Sequence, residues 1–248
     1  MCVYVCAHTF LCVCACACTL QLRACCVTCC TRVCAQPRLV AVSKLKPVSA
    51  LLEGFEAGQR HFGENYVQEV LDKGGSMPPQ VRWHFIGHLQ SNKVGKLVRG
   101  LGSTLYLVET VDRWKVAHAL DRAWAQHQPC SPPLGVLVQV NTSGEDSKAG
   151  VDAHTRGGQE VLALCRRIVE ECPHLRLRGL MTIGEAPSHQ GQDVGERDFG
   201  TLVRLSQEVL RAREGWQPAA RPPPSHEGSQ GGEKQQREQE QEEEEEDS

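Results

Sequence analysis

Residues 134–140 read Leu-Gly-Val-Leu-Val-Gln-Val, and this stretch decides the fold. Apart from Gln139, the run is apolar throughout. Such a run predicts a β-strand covered on both faces, which is typical of parallel sheets with helices packed on either side. Similar short runs predict five further strands, at Leu39–Val42, near His61–Phe62, and at Val81–Ile86, Leu105–Val108 and Leu175–Thr182.

Helical patterns separate these strands. After the third strand, for example, apolar residues recur at helical spacing at Val94, Leu97 and Val98. Ser49 and Asp112 are predicted to open two of the helices, because both residue types favour helix N-termini. Strands that alternate with helices imply parallel pairing through right-handed crossovers, as in a doubly wound sheet or a (β/α)₈ barrel. No Gly-x-Gly-x-x-Gly follows the first strand, which disfavours a dinucleotide-binding fold.

Polar residues follow the strands at the end where parallel α/β folds carry their chemistry. Lys44 follows the first strand and Asn65 the second, whereas His84 lies inside the third. Glu109 is predicted to follow the fourth strand, and Met181 lies at the end of the sixth. Each residue alone has an ordinary explanation, such as a solvated lysine, a core histidine or a helix-capping asparagine. Their convergence on one rim predicts a binding site there.

Lys44 is the most informative of these residues. It follows an apolar strand directly, so its amine is expected to lie at a packed mouth and to be partly desolvated. Desolvation favours the neutral amine that forms imines with aldehydes. Lys46, two residues further on and next to Pro47, is predicted to lie on the loop surface.

Five motifs occur in a fixed order: Leu39–Lys44 (LVAVSK), Phe62–Tyr66 (FGENY), His84–Gln90 (HFIGHLQ), Asn141–Glu145 (NTSGE) and Gly179–Gly184 (GLMTIG). Through them the chain, from about Gln36 to Gly215, resembles the pyridoxal phosphate homeostasis protein family, once called the proline synthetase co-transcribed homologues. The resemblance implies an α/β fold of the (β/α)₈ TIM-barrel type, like the amino-terminal domain of alanine racemase. It also implies a Schiff base between pyridoxal 5′-phosphate and Lys44, with Asn65, His84 and Met181 around the cofactor ring.

The resemblance implies a cofactor-binding role rather than a reaction, because the family has no established turnover and is held to buffer or deliver the cofactor. No residue is therefore assigned a catalytic role, and the expected partners are the cofactor and the enzymes that receive it.

Two alternatives stay open. One is a pyridoxal-phosphate enzyme of the racemase or decarboxylase class, which needs a second acid/base group facing the lysine. The other is a truncated product that does not bind. The expected location is the cytoplasm, with the mitochondrion as the alternative.

The sequence departs from the family after the sixth helix. Where the family has a phosphate-binding seventh strand and an eighth strand, residues from Gly215 lead into an acidic tail. We therefore expect an incomplete barrel of about six strand–helix units at residues 36–216, as a variant lacking the C-terminal part. Loss of two or three charge-assisted hydrogen bonds to phosphate should weaken binding by at least ~3 kcal/mol. Two parallel edge strands should be left unpaired, which favours aggregation.

The two ends of the chain differ from its middle in composition. Residues 1–35 hold 11 of the 14 cysteines and are interpreted as an irregular low-complexity leader. A secreted disulfide framework is disfavoured, and a thiolate metal cluster is the weaker alternative, at Cys25, Cys26, Cys29 and Cys30.

Residues 217–248 hold 10 acidic and three basic residues and are predicted to be a disordered tail. The residues before this tail carry a net charge of +4 without a basic run, so we expect no nucleic-acid partner, and the interrupted apolar stretch of the leader predicts no membrane span.

Overall fold

The structure, a computed structural model, describes residues 2–6, 11–16, 37–145, 148–183 and 193–222. Within these ranges the strands are β1 (Cys2–Cys6), β2 (Leu11–Cys16), β3 (Pro37–Val42), β4 (His61–Glu64), β5 (Arg82–Phe85), β6 (Leu105–Val111), β7 (Leu134–Asn141), β8 (Val151–Asp152) and β9 (Leu175–Thr182). The α-helices are α1 (Val48–Glu56), α2 (Val67–Gly74), α3 (Val94–Leu101), α4 (Trp114–His127), α5 (Gln159–Glu171) and α6 (Asp193–Arg213). Short 3₁₀ helices lie at Ser91–Lys93, Gly102–Thr104 and Thr155–Gly158.

Two helices begin close to their predicted starts but not at them. α1 begins at Val48 after Pro47, so Ser49 lies inside the helix and does not cap it. α4 begins at Trp114, two residues after Asp112. Neither helix has a side-chain hydrogen bond at its N-cap. The two predicted starts were therefore wrong by one or two residues, which is the usual uncertainty of helix ends.

Six strands form a parallel set in the order β3-β4-β5-β6-β7-β9, and each is followed by a helix. The short β8 pairs with the end of β7 before α5 begins. This arrangement confirms the predicted fold class, an α/β fold of the (β/α)₈ barrel type with about six strand–helix units. The parallel set does not close on itself, because β3 and β9 do not pair with each other.

The cysteine-rich leader pairs with both ends of the parallel set. β1 runs antiparallel to β3 and to β2, with Cys2 opposite Ala41, and β2 runs parallel to β9, with Leu11 opposite Gly179. The expectation that β3 and β9 would be unpaired edge strands is therefore wrong. It was wrong because the backbone groups of both strands form hydrogen bonds with the leader. The leader was also predicted to be irregular, whereas residues 2–6 and 11–16 are β-strands.

Apolar side chains form two buried clusters on the two faces of the parallel set. The larger cluster lies between the strands and the helices and includes Trp83, Phe85, Leu97, Leu120 and Ile168. The smaller one lies on the inner face and is formed by Val40, Leu107, Leu137 and Met181. Burial on both faces explains why strands such as β7 are almost continuously apolar.

The residues after α6 stay against the helical layer as far as the structure describes them. The N–H of Ala219 donates to the carbonyl of Val169 (3.0 Å), and Arg221 donates to the carbonyl of Ser131 (2.6 Å). The acidic residues beyond position 222 and the proposed cysteine cluster at residues 25–30 lie outside the described residues. Among the helices of the described ranges, none is long and apolar enough to cross a membrane.

Candidate functional site

Strand register brings the predicted site residues together at one mouth of the inner face. Val42 of β3 is level with Gly63 of β4, and Gly63 is level with His84 of β5. Lys44 and Asn65 each lie two residues beyond this level, so they are neighbours at the carboxyl ends of β3 and β4. His84 lies one layer deeper and is fully buried.

Met181 also lies on the inner face, below the mouth. Only 3% of it is exposed, and it belongs to the same buried cluster as Val40. The four predicted residues therefore form two levels, with Lys44 and Asn65 at the mouth and His84 and Met181 beneath them.

Lys44 lies in a tight turn with an unusual backbone conformation. The N–H of Lys46 donates to the carbonyl of Ser43 (3.0 Å), which closes the turn around Lys44. Leu45 has a φ of 60°, in the left-handed region that residues other than glycine rarely adopt. Its N–H donates to Oε2 of Glu69 (2.9 Å), which holds the strained residue in place. The backbone on both sides of Lys44 is thus fixed, and its side chain is half-buried.

A buried charged cluster supports this turn from the side of α2. Nζ of Lys73 donates to the carbonyl of Ser43 (2.8 Å). It also pairs with the carboxylates of Glu64 (3.2 Å) and Glu69 (2.6 Å), and the Ser43 hydroxyl donates to Glu64. Burial raises the pKa of Glu64. Hydrogen bonds, first with Glu64 and then with Lys73, lower the pKa of Glu69 to about 2. The turn that carries Lys44 therefore rests on a paired lysine inside the protein.

Asn65 offers an unsatisfied acceptor at the mouth. Its side-chain Oδ1 is buried and has no hydrogen-bond partner in the part of the chain that the structure describes. Because buried polar atoms are nearly always paired, such an atom is suited to a donor on a ligand. The helix-capping explanation for Asn65 does not apply, since the residue before α2 is Tyr66 and no side chain caps the helix.

Gly87, in the loop after β5, is packed directly on Asn65. A Cβ atom on Gly87 would lie 1.8 Å from the carbonyl oxygen of Asn65. Thr110 holds Gly87 in this position by donating to its carbonyl (2.5 Å). Only glycine allows this approach, so Gly87 helps to fix the position of Asn65.

We expect Gly87→Ala to displace Asn65 and to lower the free energy of unfolding by at least ~1–3 kcal/mol, because the methyl group would overlap backbone atoms. Gly95 in α3 is the matched control, since a Cβ there meets nothing within 4 Å. Gly95→Ala should raise the free energy of unfolding by about 0.5–1 kcal/mol. Urea denaturation measures both changes, and a Gly87→Ala protein as stable as the wild type would contradict the described packing.

A chain of polar side chains lies beneath the mouth. Nδ1 of His84 is 2.5 Å from Oε1 of Glu109, and Nε2 of His84 is 2.8 Å from Nδ1 of His61. A carboxylate accepts hydrogen bonds, so His84 donates through Nδ1 and its Nε2 accepts from His61. Both ring nitrogens of His84 are therefore used within the protein. A ligand at this site would therefore contact His84 through its ring carbon atoms.

Glu109 was predicted to follow the fourth strand of the parallel set, and this prediction was wrong. β6 continues to Val111, and Glu109 lies inside it with 1% of its surface exposed. The strand was predicted from an apolar run whose last residue is Val108. The next residue, Glu109, is a buried carboxylate paired with His84, so the end of the apolar run does not mark the end of the strand.

We expect the protein to lose stability on acidification because of His61. Burial, followed by the nearby His84, lowers the pKa of His61 to about 3 from an ordinary value of 6.5, and Arg38 and Arg82 act in the same direction. The folded chain keeps His61 neutral, whereas the unfolded chain takes up a proton below pH 6.5. The contribution of His61 to stability is thus complete above pH 6.5 and is lost as the pH falls from 6.5 towards 3.

Urea denaturation between about pH 7 and pH 5 measures this effect, since most carboxylates titrate below that range. The free energy of unfolding of the wild type should fall across it, and His61→Asn should show a smaller fall. Equal pH dependence in the two proteins would contradict the assignment to His61.

Several supporting residues were missed by the sequence predictions. Lys73 looks like an ordinary helix-surface lysine, although it lies four residues after Glu69, a spacing that pairs side chains on one helix face. His61 was predicted only to lie near the second strand, and Gly87 was predicted only as part of a motif. No sequence pattern signals the close approach of Gly87 to Asn65, because it depends on the packing of two loops.

Comparison with known proteins defines the class of the chain. Residues 27–218 match the family described as alanine racemase, N-terminal domain. That match covers all six strand–helix units of the parallel set and the mouth that carries Lys44 and Asn65.

Individual relatives narrow this class. The human pyridoxal phosphate homeostasis protein is 42% identical over 181 residues, which make up 71% of this chain and 62% of the human protein. The protein of the same name from Schizosaccharomyces pombe is 48% identical over 171 residues, which make up 69% of this chain and 67% of that protein. The structure of PipY from Synechococcus elongatus with PLP bound has a TM-score of 0.55 at 32% identity and covers 70% of this chain and 74% of PipY. The chain belongs to the pyridoxal phosphate homeostasis protein family.

Proposed function

We propose that this chain binds pyridoxal 5′-phosphate and takes part in the homeostasis of that cofactor, with Lys44 as its covalent anchor. The observation that carries the proposal is the meeting, at one mouth, of the half-buried Lys44 and the unpartnered Oδ1 of Asn65. The names of the human and yeast relatives and the PLP bound to PipY support this choice of cofactor.

The residues present fit such a ligand. When bound, pyridoxal phosphate supplies an aldehyde that reacts reversibly with a lysine amine. Lys44 would offer this amine from a turn whose backbone is held at Leu45, and Asn65 would accept a hydrogen bond from the ring. Met181 would give an adaptable apolar contact below, and His84 would shape the floor of the site while Glu109 holds it in place.

Equilibrium dialysis of the full chain against pyridoxal phosphate tests this function. We expect saturable binding of one cofactor per chain. Pyridoxine 5′-phosphate, which has an alcohol in place of the aldehyde, is the matched control and should bind much more weakly because it cannot react with Lys44. Equal retention of the two compounds, or no saturable binding, would contradict the proposal.

We further propose that the chain does not turn over amino acids. The alternative, an enzyme of the racemase or decarboxylase class, is favoured by the name of the matching domain family. Two groups that could serve as a second base are already engaged, Lys73 by three acceptors and His84 at both nitrogens. We expect no racemisation or decarboxylation above the rate of the free cofactor, measured by chiral chromatography and carbon dioxide release. A rate enhancement that disappears in Lys44→Ala would overturn this proposal.

We also expect the chain to act in the cytoplasm, with the mitochondrion as the alternative, and to pass the cofactor to pyridoxal-phosphate enzymes. Transfer to an apoenzyme can be followed by mixing the loaded chain with that apoenzyme and recording the gain of its activity. A transfer no faster than dissociation of the cofactor into solution would argue against direct delivery.

A further inference from the structure

A second recess lies at the same end of the sheet as Lys44, on the side of β5 and β6. It has a volume of about 340 Å³ and is lined by six polar residues, His88, Gln90, Ser91, Asn92, Arg113 and Lys115. The first four belong to the segment after β5, and the other two belong to the start of α4. Five of the six side chains carry N–H or O–H groups that can donate to a ligand, whereas the ring nitrogens of His88 face Arg113 and Asp112; no carboxylate lines the recess. The recess is therefore suited to a ligand that accepts several hydrogen bonds.

Arg113 is held in a fixed orientation at the edge of this recess. Its Nη2 donates to Nε2 of His88 (2.7 Å), and its Nε lies 3.2 Å from Oδ1 of Asp112. The side chain of Arg113 is still 47% exposed, and its Nη1 has no acceptor among the described residues. A guanidinium group fixed on one side and open on the other is preorganised for an anion, because less side-chain entropy is lost on binding.

Lys115 adds a second cation at the recess. It forms no ion pair in the described part of the chain, and the first turn of α4 contains no acidic residue. A lysine in this turn lies near the positive end of the helix dipole, which is unfavourable for the helix on its own. Asp112, already in contact with Arg113, is the neighbouring anion, so the recess keeps an excess of positive charge.

We infer that this recess binds the phosphate group of a small molecule, supplied either as inorganic phosphate or as a phosphate monoester. The two N–H groups on Nη1 of Arg113 can donate to phosphate oxygens, and Lys115 acts as a point charge. Ser91 and Asn92, which also line the recess, can add neutral donors from the segment after β5. The volume lies at the lower end of the ~300–1,000 Å³ range of small-molecule sites. This inference does not rest on the proposed function, because none of the six lining residues is assigned to the Lys44 mouth.

Isothermal titration calorimetry of the full chain in a phosphate-free buffer tests the inference. Inorganic phosphate and β-glycerophosphate are titrated separately. The compound that binds more tightly identifies the source of the phosphate group. We expect saturable binding at one site that weakens as sodium chloride is added, because the site is exposed. The variant with Arg113→Gln and Lys115→Gln together should bind at least ~10-fold more weakly, the loss of roughly one charge-assisted contact.

Arg122→Gln is the matched control, since Arg122 is an exposed residue of the same helix and does not line the recess. Its affinity should stay within about twofold of the wild-type value. If the double variant unfolds in a thermal melt, Lys115→Gln alone is used, because Lys115 makes no ion pair with any residue that the structure describes. The inference is overturned if neither compound shows saturable binding, or if Lys115→Gln and Arg122→Gln weaken binding equally.

Discussion

Lys44→Ala is expected to abolish covalent retention of pyridoxal phosphate and to weaken its binding in equilibrium dialysis at least ~10-fold, equivalent to about 1.4 kcal/mol. The reason is that Lys44 is the half-buried lysine at the mouth beside Asn65. The visible absorbance of lysine-bound pyridoxal should disappear in this variant. A thermal melt of Lys44→Ala close to that of the wild type would show that the loss concerns the site and not the fold.

Lys46→Ala is the matched control for this experiment. Lys46 is exposed, and its contribution to the turn is its backbone N–H, which the substitution keeps. Lys46→Ala should therefore bind the cofactor like the wild type. If Lys46→Ala loses as much absorbance as Lys44→Ala, the anchor has been assigned to the wrong residue.

The second large effect is expected at Lys73. Lys73→Met removes the cation that pairs with the buried Glu64 and with Glu69. Breaking a buried ion pair by removing one partner leaves an uncompensated charge, which typically costs about 3–5 kcal/mol. This is a large share of the ~5–15 kcal/mol by which folded domains are stable. We therefore expect Lys73→Met to lower the free energy of unfolding by several kcal/mol in urea denaturation.

Two further variants separate this effect from a general effect of losing a lysine. Lys96→Met removes an exposed lysine of α3 that donates to the side chain of Gln68, and it should change stability by less than ~1 kcal/mol. Glu64→Gln combined with Lys73→Met removes the unpaired carboxylate and should recover part of the loss. If Lys73→Met has the same free energy of unfolding as Lys96→Met, the described cluster is contradicted.

The parts of the fold that could be predicted are those where apolar periodicity decides the structure. β7 and β9 were predicted within one residue. β7 is buried along almost its whole length and almost entirely apolar, whereas β9 is continuously buried only in its second half, after Arg176 and Arg178. The shared level of Lys44 and Asn65 could be predicted from the ends of β3 and β4, since polar residues just past parallel strands meet at one rim. The prediction failed where a buried polar residue interrupted the pattern, as Glu109 does in β6.

The leader shows a different limit of sequence interpretation. Cysteine alternates with Val and Ala in the segment that forms β2, a period of two that is typical of strands. Its unusual composition led to an irregular segment being predicted. The pairing of β1 and β2 with β3 and β9 depends on contacts distant in sequence, which a local pattern does not specify. The same is true of Lys73, whose burial depends on the position of Ser43 in another loop.

The most direct test of the central claim is to find where the cofactor is attached. The wild-type chain is incubated with pyridoxal phosphate, reduced with borohydride and digested, and the labelled peptide is identified by mass spectrometry. We expect one principal adduct, on Lys44, because Lys73 is buried and engaged by three acceptors while Lys46 lies on the loop surface. A principal adduct on any other lysine, such as Lys46, Lys73, Lys93 or Lys148, would contradict the account.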